Sequence, residues 1–214
     1  LGKSKLFKFA DIANKSNVLE RNPIFKGKWN TEFFKNKQDI ILELACGKGD
    51  YSLGMATLFP DKNFIGVDIK GNRIWSAATL AEKNNLQNIA FIREQIDKID
   101  EYFELEEVSE IWITFADPFP KLGDQKRRLT STKFLPIYKK ILKRNGIIHL
   151  KTDSDILYEF TKETLETYPS LILKDYNDVY AMKKNAELYD IQTYYEKMHL
   201  QNGKTIKYLS FQLL

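Results

Sequence analysis

The sequence is poor in cysteine, proline, glycine and histidine, and each scarcity excludes something. Its single cysteine, Cys46, has no second thiol to pair with, which suits a reducing compartment. Ten glycines and six prolines in 214 residues are too few for a collagenous or low-complexity chain. Two histidines, His149 and His199, stand in no Cys, His or acid pattern with metal-ligand spacing. Long hydrophobic runs are missing too: Ile40-Ile41-Leu42 meets Glu43 at once, far short of the roughly 18 apolar residues of a membrane span. The opening LGKSKLFKFA carries no apolar signal-peptide core. The expectation is a cytoplasmic protein with no membrane partner and no metal.

What is present is a folding composition, 43% hydrophobic and 13% aromatic, with charge unevenly spread. Residues 121–144 hold nine Lys or Arg against Asp124 alone, residues 1–28 hold seven against two acids, and residues 94–110 hold eight acids against Lys98. One basic run is ordinarily a solvated helix face. Two of them opposed to an acidic run point to a polyanion, nucleic acid, on one side of the molecule.

Near-continuous apolar bursts at 40–45, 63–67, 89–93, 110–116 and 146–151 read as strands buried on both faces. Helix-length stretches at 50–59, 72–83, 96–103 and 132–144 separate them, the last with a cationic end before Gly146. Five alternations predict an α/β fold with a doubly wound, mostly parallel sheet. Beyond Asp153 a helix over 154–168, a strand over 171–176, a helix over 193–200 and a strand over 204–213 suggest an antiparallel C-terminal edge strand. Residues 1–30 read as a basic N-terminal arm and 31–214 as a single domain.

The first strand runs into Glu43-Leu-Ala-Cys-Gly47-Lys-Gly49, the place where a doubly wound sheet lets backbone approach a nucleotide-like ligand. Asp68 ends the second strand, 19 residues after Gly49, where an acid accepts from ribose hydroxyls. A carboxylate at Glu43 repels a pyrophosphate but attracts a sulfonium and an amino group, which favours S-adenosylmethionine over NAD. In Asp117-Pro118-Phe119-Pro120-Lys121 the prolines hold an extended backbone and place Asp117 over the cofactor site. Phe119 can stack on a base and Lys121 can reach a phosphate. Lys126, Arg127 and Arg128 follow as candidate RNA contacts. Asp153 and Glu196 stand at helix starts, where an acid is often only a cap. Cys46 reads as packing in the loop, His149 as core and His199 as surface.

GKSKLFKFADIA, ELACGKG, GVDIKGNRIW, FADPFPK with KRRLTS, KTDS and TYYEK resemble, in order and over nearly the whole chain, the motifs of the bacterial tRNA (guanine-N7-)-methyltransferases. The resemblance implies a Rossmann-like methyltransferase domain that moves the methyl of S-adenosylmethionine to N7 of the variable-loop guanosine of tRNA, position 46. It implies Glu43, Asp68 and Asp117 around the cofactor, with Gln95 on its adenine or ribose side. It further implies that Lys121, Asp153 and the stretch from Thr193 to Glu196 touch the guanosine. Ala45, Gln95 and Leu122-Gly123-Asp124 depart from the family pattern. A monomer or a homodimer fits the reading. The alternatives are methylation of an adenine or cytosine amine, against which Pro120 stands where those enzymes carry an aromatic, and an RNA-binding module with a degenerate cofactor pocket.

Overall fold

The computed structural model describes residues 3–182 and 186–214. Eight strands form one sheet: β1 (Val18–Glu20), β2 (Ile40–Leu44), β3 (Asn63–Val67), β4 (Ile89–Arg93), β5 (Val108–Thr114), β6 (Leu142–Thr152), β7 (Ser170–Tyr176) and β8 (Lys207–Leu213). Their order is β1-β4-β3-β2-β5-β6-β8-β7. The pairs from β1 through β6 are parallel, and β8 runs antiparallel to both β6 and β7.

Alternate residues of the central strands feed two cores. Ile40, Leu42 and Leu44 face one, with residues of α4 (Leu135–Ile141) and α5 (Asp155–Thr167). Ile41 faces the other, with residues of α1 (Lys3–Ile12), α2 (Asp50–Leu58) and α3 (Gly71–Lys83). Burial on both faces explains why these strands read as continuous apolar runs. The chain leaves central β2 toward β3 and β4 and returns on its other side through β5 and β6, which opens a crevice outside the carboxyl ends of β2 and β5. The C-terminal part of the chain adds the four-residue α6 (Ala186–Tyr189) and α7 (Tyr194–Gln201).

Several boundaries differ from the sequence reading. The C-terminal strand β8 is interior, and β7 takes the edge. The helix expected over 132–144 ends at Ile141, because Leu142 is buried beside Val108 and starts β6. The stretch 96–103 is a 3₁₀ turn, Ile96–Glu101. Within the N-terminal arm, α1 packs on α3, where the Trp75 indole donates to Asp11 at 2.7 Å and Lys15 pairs with Glu82 at 2.6 Å. β1 of the same arm extends the sheet beside β4.

Charge separation is also smaller than the sequence suggests. Lys133 and Lys140 pair with Asp97 and Asp100 of the acidic run, and Lys143 pairs with Asp39. The basic and acidic runs are therefore partly neighbours rather than opposite faces.

Candidate active site

The switch-point crevice is a cleft of about 1070 Å³ lined mainly by residues following three strands and by α7, with Arg73 of α3 and Lys204 and Lys207 at the approach to β8 completing its wall. After β2 come Ala45, Cys46, Gly47 and Lys48; after β5, Phe115 to Pro118; after β6, Asp153 to Ile156; and from α7, Thr193, Tyr194, Tyr195, Met198 and His199. Glu43 and Thr114 form part of its lining from within the strands.

The loop after β2 is held in left-handed backbone: φ is +59° at Ala45, +60° at Gly47 and +74° at Gly49. The two glycines do different work. A Cβ on Gly47 would meet nothing within 4 Å, whereas one on Gly49 would strike the Ala77 methyl at 2.8 Å. Gly47 thus leaves backbone open to a ligand, and Gly49 lets α2 pack against α3. Ala45 adopts this conformation without being glycine, at a cost of about 1 kcal/mol.

Glu43 is buried. It accepts from the Ser52 N–H at 2.9 Å, the Ser52 hydroxyl at 2.5 Å and the Thr114 hydroxyl at 2.6 Å. Burial outweighs these hydrogen bonds and pushes its pKa up to about 7. Asp68, also buried, accepts from the Gly47 N–H at 3.0 Å and the Lys70 N–H at 2.7 Å, so it ties the first loop to the end of β3. Burial, then the charges of Glu43 and Asp68, push the Cys46 thiol well up, which keeps it a packing group rather than a thiolate nucleophile.

Asp117 is exposed in the cleft and takes part in no hydrogen bond or ion pair with a described residue. Its loop is strained and braced. Phe115 and Phe119 have φ of +49° and +43°, a conformation bulky residues rarely adopt. The Phe115 N–H donates to the Lys151 carbonyl at 2.9 Å. Arg128 is buried, stacks 4.4 Å over Phe160 and donates to the carbonyls of Pro118 (2.9 Å) and Phe119 (3.0 Å).

That geometry corrects one sequence assignment: Arg128 is spent on the loop and offers nothing to a phosphate. Lys126 and Arg127 are exposed, with Arg127 over the Phe119 ring at 4.3 Å and 3.3 Å from Asp124. Lys121 is exposed but does not line the cleft.

Glu196 is corrected as well. It has no exposed surface and lies against Lys151, at 2.7 Å, so it cannot touch a substrate. Thr193 does line the cleft, and its hydroxyl caps α7 by accepting from the Glu196 N–H at 3.1 Å. Asp153 lines the cleft and is held by Lys204 at 2.6 Å and by His199 Nε2 at 3.3 Å. The sequence places His199 at the surface, yet its side chain is mostly covered and stacks toward Phe115. Gln95 is exposed beyond β4 and lies outside the cleft wall. His149 is buried, stacked 4.0 Å from Trp112 and hydrogen-bonded to Tyr208 at 2.7 Å.

Sequence reasoning missed Ser52 and Thr114, which bind Glu43, and Lys151. The available signal for Lys151 was a cation at the end of the apolar run Gly146-Ile-Ile-His-Leu, where burial requires a charge partner. Among the described residues no group of three or more His, Cys, Asp or Glu is arranged to hold a metal, and no helix is long and apolar enough to cross a membrane.

The donor set suits S-adenosylmethionine: acids for a cationic centre, and an open glycine backbone for close approach. A family model described as "Putative methyltransferase" matches residues 37–209. The tRNA (guanine-N(7)-)-methyltransferase of Bacteroides fragilis is 46% identical, over 100% of this chain and 87% of its own length. The enzyme of the same name from Christiangramia forsetii is 46% identical, over 99% and 98%. Among solved structures, the 16S rRNA methyltransferase KamB superposes with a TM-score of 0.62 at 12% identity, over 86% of this chain and 91% of that one, which shows a shared fold. By these matches the chain belongs to the tRNA (guanine-N(7)-)-methyltransferase family.

Proposed function

We propose that this protein methylates N7 of a guanosine in tRNA, the variable-loop guanosine at position 46, with S-adenosylmethionine as donor. The observation that carries the reading is the exposed Asp117 carboxylate, in the same switch-point cleft that Glu43 lines from below. When bound, S-adenosylmethionine supplies a methyl group on a cationic sulfur. Glu43, the Gly47 backbone and Asp68 are the groups that would hold it.

N7 of guanine has a lone pair and no proton, so the protein needs no general base at that atom. Its work is alignment and electrostatics. Asp117 stabilises the positive charge that grows on the guanine. Carboxylates of the cleft, Asp117 and Asp153, can accept from the N1–H and the exocyclic amine, groups that adenine lacks in that pattern. Lys121, Lys126 and Arg127 supply the backbone contacts outside the cleft.

The test is a tRNA with 7-deazaguanosine at the target position, which replaces the N7 lone pair by C–H and leaves the other edges intact. Methyl transfer should vanish while binding persists. Transfer at an unchanged rate would refute attack by N7.

A further inference from the structure

Lys151 is a fully buried cation, and none of the assigned roles uses it. It is the second-last residue of β6, and its side chain has no exposed surface. Its ammonium bonds both oxygens of Glu196, at 2.7 and 2.9 Å, and donates to the Leu188 carbonyl at 2.7 Å. Glu196 also accepts from the Tyr180 hydroxyl at 2.8 Å, and that hydroxyl accepts from Gln192 at 2.9 Å. Burial, then the hydrogen bond to Glu196, raise the Tyr180 pKa and keep it a donor.

These bonds anchor residues 188–196 to β6, and that stretch includes Thr193, Tyr194 and Tyr195 of the cleft wall. The backbone of the same residue fixes another wall. The Lys151 carbonyl accepts from Phe115 N–H, two residues before Asp117. Thr152 then leads directly to Asp153. One residue therefore joins the Asp117 loop, the Asp153 turn and the start of α7.

We infer that Lys151 is a positioning residue for the acceptor side of the cleft, acting through Glu196 to set Thr193, Tyr194 and Tyr195 against the Asp117 loop. The cofactor side has hydrogen bonds of its own, Asp68 on Gly47 and Ser52 and Thr114 on Glu43, and it meets this network where the Lys151 ammonium lies 5.6 Å over the Tyr51 ring and the Tyr194 N–H donates to Asp50 at 3.0 Å. The inference rests on the methyl-transfer reading. A parent protein that methylates no tRNA would refute that reading before any variant is compared.

The experiment measures kcat/KM for tRNA and the Kd for S-adenosylmethionine in Lys151→Met, Glu196→Met, the double variant and Tyr180→Phe. Either single change leaves a buried charge unpaired and shifts the wall, so kcat/KM for tRNA should fall about 30- to 100-fold while cofactor Kd stays within threefold. The double variant removes both charges and fills the site with apolar volume, and should recover to within about tenfold of the parent. Tyr180→Phe loses only a hydroxyl outside the cleft and keeps its ring packed. It should lose about three- to tenfold in kcat/KM for tRNA. A double variant as impaired as Glu196→Met would mean that Glu196 acts on substrate directly and would overturn the inference. So would a Tyr180→Phe enzyme within twofold of the parent, which decides the matter even if the methionine variants fail to fold.

Discussion

Binding of S-adenosylmethionine should release a proton from Glu43. Burial raises this carboxyl from 4.5 to about 7, so at pH 6 about nine-tenths of the free protein carries it protonated. A cation at ~4 Å in an effective dielectric of ~20 attracts the carboxylate by about 4 kcal/mol. That is about three pKa units, enough to bring the bound carboxyl back near 4. Between pH 7 and pH 5 the apparent affinity should then fall roughly 50-fold, because each complex must first ionise Glu43.

Calorimetry at pH 6 in two buffers of different ionisation enthalpy should show ~0.9 proton released per cofactor bound. Glu43→Gln should release none and show no such slope, which separates this group from the cofactor's own amino group. Stability moves the other way. The folded pKa lies above the unfolded one, so the stabilisation is complete below about pH 4.5 and is lost as pH rises to 7. At pH 8 the charge-free Gln, whose amide can donate to the Thr114 hydroxyl, should make the unliganded protein more stable by up to ~3 kcal/mol. Equal proton release by parent and variant would refute the reasoning.

Asp68→Ala should weaken cofactor binding by more than a ribose contact is worth, since it also frees the Gly47 and Lys70 N–H groups; tRNA affinity, titrated separately, should hold. Replacing Lys126 and Arg127 by Ala should lower the slope of log affinity for tRNA against log salt by about one to two. Arg128→Ala should leave that slope alone and instead cost about 2 kcal/mol in denaturant unfolding, because two half-buried carbonyls lose their donor and the space of a buried side chain is emptied. Asp117→Asn should slow single-turnover methyl transfer by around 100-fold or more with tRNA affinity little changed.

The sheet was legible because its strands are buried on both faces and interrupted by turns with clear chemistry; β2, β3 and β4 fall within a residue of the expected positions. The ends of β6 and α4 were not, since Lys143-Arg144-Asn145 reads as a helix end until Leu142 is seen beside Val108. At the site, Asp117 was legible because it follows a strand and two prolines fix its loop, whereas Asp153 reads by position as a helix cap and only the family resemblance pointed to the cleft that both residues line. What a one-dimensional reading could not separate was an exposed cation from a buried one. Arg127 and Arg128 are adjacent and chemically identical, yet one is in solvent and the other clamps Pro118 and Phe119. Glu196 likewise reads by position as a cap and by resemblance as a substrate contact, and Lys151, 45 residues earlier, together with the Tyr180 hydroxyl, explains its burial.

The central claim is the identity of the product. Incubating the protein with unmodified tRNA and methyl-labelled S-adenosylmethionine, digesting to nucleosides and analysing them by mass spectrometry should give labelled 7-methylguanosine alone, mapped to the variable loop. Label in a methylated adenosine or cytidine, or no labelled nucleoside from a tRNA that the protein demonstrably binds, would contradict it.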